Sequence, residues 1–426
     1  MSGSLDEAST VPAGVAWEEE PALAYRWVIV GLMWLTQQAD SLAMMSLGVL
    51  LPAMRKELGF DLFMASLVGS SNQVSQLILG IPLTVWAVRM KPKPLMIFSN
   101  LLAAAFIFLQ GAAFSVWIVM LARFLASAVG NVKGAAQVLL RVQWVPRREL
   151  GLVMGLGMGM SNASQSIAFN VTPILLTAVG LTWRSALHVF GLIVLAMSLL
   201  WLIFGRERAV APTPAVRPQQ DWSQVPRLLR RFDVKLICIY WFFSLLPFNL
   251  LLLFYPTYLV ESRGYSLGMA GLIMSVISLT GIVVAPLGGR LSDRVGLRRP
   301  FIWPLGILTM LGQMALFLPV SAPWLIFLAF IYGVCLWLPP SVIMAIPYEL
   351  EGLSASDIAL TMSIAQTAGT AGTVVGFWGL GGLVRLTGTL TLPLFLSSIG
   401  WLSRMVAGLL LPETGPRYQA SKKAVT

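Results

Sequence analysis

The chain has 426 residues, 57% of them hydrophobic and 11% charged, with a mean hydropathy of +0.80. A soluble domain averages about 25% charged residues, and no soluble fold of this length hides so much apolar surface, so the solvent is lipid. The net charge of +11 does not point to nucleic acid, because the bases sit in short loops between apolar runs, as in a membrane protein.

The first 24 residues hold Asp6, Glu7, Glu18, Glu19 and Glu20, with no base before Arg26. They lack the basic start and apolar core of a signal peptide and are expected to be a disordered cytoplasmic tail. A span takes about 20 apolar residues. Twelve such runs follow, at about 25–51, 63–86, 95–113, 116–142, 149–178, 184–205, 234–260, 267–287, 301–320, 323–347, 356–383 and 389–411. The stretch 206–233 is basic and holds prolines at 212, 214, 218 and 226. It is read as a cytoplasmic loop between a six-span bundle at 25–205 and a second at 234–411, with 412–426 as a tail. Cys238 and Cys335 lie inside apolar runs and give no disulfide signal.

Basic residues are strongly sided. Arg89, Lys91, Lys93, Arg141, Arg147, Arg148, the central-loop arginines, Arg290, Arg294, Arg298, Arg299 and the C-terminal Arg417, Lys422 and Lys423 share one face. The other face carries Arg55, Lys56, Arg184, Arg263 and Arg385. This asymmetry predicts cytoplasmic termini and a plasma (inner) membrane location. Each half places a basic loop between its second and third spans, Val85–Leu95 and Gly288–Pro300. Two six-span halves related in this way suit a transporter whose site lies at the midplane between them.

Here the chain resembles the major facilitator superfamily of transporters, over nearly all of Tyr25 to Pro412. The loop GGRLSDRVGLRRP resembles the family's cytoplasmic signature, through Gly288, Gly289, Asp293, Arg294, Gly296, Arg298 and Arg299. Its first-half copy has Val88 in place of the acid. LARFLASAVGNVKGAAQ resembles the family's fourth-span motif with its Arg, here Arg123. LTWRSALHVFG resembles the Trp-Arg entry to the sixth span, and WVPRREL the loop before the fifth. The Gly-Pro pair common in the fifth span of the family's drug exporters is missing. The resemblance implies an all-α fold of twelve transmembrane helices in two pseudo-symmetric six-helix halves, working by alternating access. It also implies that Gly288–Pro300 is a cytoplasmic latch between the eighth and ninth spans, where Asp293 and the arginines hold one conformation of the halves.

Charge inside a span is costly and marks a functional candidate. Asp40 is the only acid well inside a span, about 22 Å along the first from its start. Arg123 lies about 10 Å into the fourth span from the opposite side. The two are predicted to face each other or share a water at similar depth, either as a proton-coupling pair or as a static ion pair. Lys133 lies about 15 Å beyond Arg123. It is read either as a cation for an anionic substrate or as a lysine reaching the interface. Gln37, Asn72, Gln73, Gln76, Asn131, Asn162 and Gln165 are candidates for a hydrogen-bonding cavity wall, with interhelical bonding as the alternative. The second half adds Asn249, Trp337 and Gln366. Pro339-Pro340 is expected to break the tenth span. His188 is read as structural.

No Gly-rich loop ends in Gly-Lys-Ser/Thr, so ATP-driven pumping by this chain is not expected. No cluster suited to metal binding or acid-base catalysis appears, so no enzyme, cofactor or metal is expected. The expected function is secondary transport of a small solute, as proton-coupled symport of a small organic anion. Proton-antiport export of an apolar drug-like compound is the first alternative, and a non-transporting receptor or scaffold the second. The expected partners are substrate, protons and the lipid bilayer, with the chain a monomer.

Overall fold

A computed structural model describes residues 25–208 and 224–418. The expected tail 1–24, most of the loop 206–233 and the end of the C-terminal tail lie outside the described residues. Regular structure among the described residues is helical throughout. The helices are α1 (Tyr25–Met45), α2 (Leu47–Leu58), α3 (Leu62–Ala87), α4 (Pro92–Gly111), α5 (Val116–Trp144), α6 (Arg147–Thr177), α7 (Trp183–Phe204), α8 (Val225–Arg230), α9 (Phe232–Glu261), α10 (Leu267–Val295), α11 (Trp303–Ala315), α12 (Ala322–Glu349), α13 (Ala355–Thr387), α14 (Thr391–Ser397) and α15 (Leu402–Leu410).

They build twelve spans. The first is α1 with α2, which turn at Ser46, and the twelfth is α14 with α15. Each other span is one helix, and the short α8 precedes the seventh. Among the described residues, eight segments are long and apolar enough to cross a membrane by length and composition alone. The long helices α1, α3 and α6 miss that test. They carry Asp40, Asn72 and Gln73, and Asn162 and Gln165, all buried or half-buried.

Helix starts follow their sequence signals. Asp61, Thr182 and Ser266 accept bonds from the backbone N–H groups of Met64, Ser185 and Met269, which have no partner inside their own helix. Ser354 and Asp357 form a reciprocal capping box at α13. Gly59, Gly296 and Gly388 end their helices at positive φ, where a side chain is strained.

The same packing recurs in both halves. In the first, α3 packs on α5, α4 on α5 and α7, and α1 on α6 and α7. In the second, α10 packs on α12, α11 on α12 and α15, and α9 on α13 and α15. Span for span the two patterns coincide, so the halves are pseudo-symmetric.

Prolines set the close contacts. Each removes one helix bond and leaves the carbonyl four residues earlier without its donor. Pro339 and Pro340 do not break α12, contrary to the sequence expectation. The freed carbonyls of Cys335 and Leu336 find new donors, Thr309 Oγ1 at 3.1 Å and Arg404 Nη1 at 3.0 Å. Pro256 frees the Leu252 carbonyl, and a Cβ on Gly48 would lie 2.8 Å from it. Pro173 frees the Phe169 carbonyl, 2.1 Å from where a Cβ on Gly271 would lie. Both contacts cross between the halves, so glycine is needed at each.

These contacts sit toward the face opposite the termini, here called the distal face. Arg55 Nη1 bonds Glu261 at 2.8 Å, and Arg385 Nε lies 3.6 Å from Asp61, both across the halves. Trp378 Nε1 donates to Ser70 Oγ at 3.1 Å, and Asn170 Nδ2 to Ser275 Oγ at 2.5 Å. The distal ends are thus sealed together.

Among the described residues, the side-chain bonds of Gly288–Pro300 stay within the second half. Arg298 is buried and bonds Asp293 Oδ1 at 2.6 Å, Glu349 at 2.5 and 3.1 Å, and Ser292 Oγ at 3.0 Å. Glu349 first, and Asp293 after it, push the Arg298 guanidinium further up from its already high pKa. The Arg298 N–H donates to Glu413 at 2.6 Å, and Arg299 Nε to the Gly408 carbonyl at 3.0 Å. Arg294 is exposed. A Cβ on Gly288 would meet the Leu338 carbonyl at 2.3 Å, so this glycine seats α10 against α12, and Gly289 faces Ser341. Gly296 approaches Arg417 closely. The cluster therefore ties α10, α12 and the end of the twelfth span together.

Candidate functional site

The site is built around α5, which carries Arg123 and Lys133 on buried faces, at 5% and 3% exposure. Ser115 caps its start by accepting from the Trp117 N–H. Lys133 Nζ bonds both carboxylate oxygens of Asp40, at 2.8 and 2.9 Å. Asp40 and Arg123 therefore form no direct ion pair, although both line one cavity. The reason is the length of the first span. It runs on through Ser46 to Leu58, past the expected end near Leu51. Asp40 consequently lies near the middle of that rod, level with Lys133 and not in the distal half. Lys133 neither reaches the interface nor stands free for an anion.

Arg123 is left without a carboxylate among the described residues. Its Nη2 lies 4.0 Å from the Met44 sulfur, and its Nε has no partner. Two cavities meet at this side chain. A central one of about 70 Å³ lies between the halves. Asn72, Gln73 and Arg123 form its first-half side, and Asn249, Leu253 and Phe377 its second-half side. A second of about 80 Å³ lies inside the first half, lined by Asp40, Lys133, Arg123, Gln110 and Met44. Each has room for about two waters. The buried Asn72 Oδ1 and Gln73 Oε1 have no partner. Asn249 Nδ2 is tied to the Leu245 carbonyl at 2.9 Å and Thr373 Oγ1 at 3.1 Å.

The other candidates are placed apart from these cavities. Gln37 bonds Ser161 and so joins α1 to α6. Asn162 packs where a Cβ on Gly281 would stand, beside Trp337. Trp337 Nε1 donates to the Ile277 carbonyl at 2.9 Å, and its ring meets Phe248 edge-on. Gln165 Oε1 and Asn131 Nδ2 are buried without partners, while Gln76 and Gln366 are exposed. His188 stacks near Phe108 and covers Gly111.

Sequence reasoning missed three residues. Gln110, 5% exposed, sits at the far end of a span whose other polar side chains are Ser99 and Asn100. Met44 has no sequence signal. Arg404 is a fourth charge inside a span, visible in WLSRMVAGLL but unnoticed. It lies buried in the second half, with Nε 3.3 Å from Ser244 Oγ and the guanidinium 4.2 Å above the Trp401 ring.

Two pseudo-symmetric six-span halves around a central charged cavity define a polytopic membrane carrier. The chain belongs to the Major Facilitator Superfamily, whose family model matches residues 33–377. It is 26% identical to a probable sulfoacetate transporter of Cupriavidus necator, over 93% of this chain and 97% of that protein. It is also 26% identical to a probable nitrate/nitrite antiporter of Thermus thermophilus, over 65% of this chain and 64% of that one. A lysosomal dipeptide transporter of Homo sapiens shares 25% identity over 51% of this chain and 50% of its own. Among solved structures, a bacterial homologue of the human lysosomal transporter Spinster, in an inward-facing and unoccupied conformation, superposes with a TM-score of 0.72. That match has 14% identity and covers 91% of this chain and 95% of that one. The protein is an integral, multi-pass secondary transporter.

Proposed function

We propose that the protein is a proton-coupled symporter of a small organic anion. The observation that carries this reading is Arg123, a buried guanidinium with no ion-pair partner among the described residues, on a cavity that also holds unbonded amide oxygens. A buried charge without a partner is costly, and an anion in the central cavity removes that cost. The apolar Leu252, Leu253 and Phe377 opposite suit an organic body. Two relatives carry names that specify anions, sulfoacetate and nitrate or nitrite. A net positive cavity is poorly matched to export of an apolar drug-like compound.

Coupling follows from charge balance. Asp40, Lys133 and Arg123 together leave one positive charge. Protonating Asp40 leaves Lys133 unbalanced as well, and that raises the affinity for an anion. By linkage, a bound anion favours protonation of Asp40 to the same degree. Lys133 thus supports the acid and does not hold the anion. The face bearing the termini, rich in Lys and Arg, is assigned to the cytoplasm of a plasma (inner) membrane. With the distal ends sealed together, this reading is of an inward-facing state, and the chain is proposed to act as a monomer.

The test is Asp40→Asn in proteoliposomes, with ligands first found by thermal shift against carboxylates, sulfonates, sugars, amines and drugs. Proton-driven accumulation is expected to disappear while counterflow exchange persists. Unchanged accumulation would remove Asp40 from coupling.

A further inference from the structure

We propose that Met44 is a positioning residue of the anion site: its thioether packs on Arg123 where the two cavities meet and keeps the guanidinium available to substrate. The inference rests on the anion reading above and deepens it. Met44 and Arg123 are the two side chains that line both cavities. The central cavity holds the unbonded amides, and the inner one holds the Asp40–Lys133 pair. Between them stands a wall one side chain thick, in which the Met44 sulfur is 4.0 Å from Arg123 Nη2.

Charge alone would not leave the site this way. A carboxylate and a guanidinium on one small cavity of low dielectric attract strongly. A flexible Arg side chain that reached Asp40 would pair with it in competition with Lys133. Arg123 would then be neutralised and the central cavity would lose its only cation. The groups that face Asp40 make this the one available competitor. From α5 these are Lys133 and Arg123. Among the described residues, α4 brings only the neutral Gln110 to the cavity. On α6, Glu149 pairs with Arg26 near the terminal face. On α7, Arg184 pairs with Glu57 near the distal face. On α2, Arg55 pairs across the halves at that same face.

Methionine suits the role. The thioether is a weak acceptor, so it touches a guanidinium without neutralising it. It is also unbranched and fills the gap between α1 and α5 without wedging them apart. Its place on the last turn of α1, just before the turn at Ser46, points it at Arg123.

The experiment measures binding of nitrate, acetate and sulfoacetate to purified protein by calorimetry. The proteins are wild type, Met44→Leu, Met44→Ala, Asp40→Asn and the double variant Met44→Ala with Asp40→Asn. Met44→Ala is expected to weaken binding at least ten-fold, because Arg123 collapses onto Asp40. Met44→Leu keeps the bulk and stays within about three-fold of wild type. In the double variant no carboxylate remains to capture Arg123, so affinity returns to within about three-fold of Asp40→Asn alone. A purely structural defect at Met44 would not be rescued by removing Asp40. Equal binding by wild type and Met44→Ala would overturn the proposal, as would a double variant as weak as Met44→Ala. If wild type bound none of the three anions, the anion reading itself would fall, and this inference with it.

Discussion

The two halves each bury an arginine that forms no ion pair among the described residues, and they treat it in opposite ways. Arg404 is enclosed by its own half. One nitrogen holds the carbonyl that Pro340 sets free, another lies at Ser244, and the Trp401 and Tyr240 rings cover the guanidinium at 4.2 and 5.6 Å. Cation–π contact and carbonyl bonding stand in for a counter-ion. Arg123 has a sulfur at 4.0 Å, an Nε without a partner and a cavity in front of it. Burial and charge are nearly the same in both. What separates a structural cation from a binding one is whether its donors are already committed.

Substitution should separate the two sharply. Arg123→Gln is expected to reduce anion binding more than 100-fold while the melting temperature moves little, since no protein bond is lost. A large drop in melting temperature with binding retained would reverse the assignment. Arg404→Leu should do the opposite. It orphans the Leu336 carbonyl and costs about 1–3 kcal/mol, seen as a lower melting temperature, while the folded fraction binds anion within about two-fold of wild type. A ligand-specific loss in Arg404→Leu would place that residue in the site.

A third buried arginine, Arg298, sharpens the contrast because it has acids to spare. Glu349 contacts it twice and is mostly covered, at 18% side-chain exposure, whereas Asp293 is 60% exposed. Glu349→Gln is therefore expected to slow initial uptake several-fold. Asp293→Asn should change it less than two-fold, as for most exposed ion pairs. Equal slowing by both would mean that Asp293 has a second partner in another conformation, as a latch between the halves requires.

Much of the fold was legible in the sequence because lipid imposes a long, uniform pattern. Span lengths, basic sidedness and the repeat of the two halves all follow from it. The candidate site was legible in part. Asp40 and Arg123 stand out because charge within a span is rare, and they line one cavity, yet the ion pair of Asp40 goes to Lys133. Run length alone misplaces the depth of Asp40, because α2 carries the first span seven residues beyond the expected end at Leu51, to Leu58. Arg404 was open to the same rule but escaped it, in a span broken into α14 and α15. Pro339-Pro340 reads as a break in sequence, and Thr309 and Arg404, far along the chain, keep that helix whole.

The sequence by itself determined that this is a twelve-span transporter with a few charges in its first half, because the cost of burying polar groups in lipid is local and additive along the chain. Only the tertiary structure decided who pairs with whom. Lys133 takes Asp40, Met44 faces Arg123, and glycines meet proline-freed carbonyls across the halves. Those outcomes depend on helix register and side-chain reach over a few ångströms, and spacing along one helix carries no information about its neighbour.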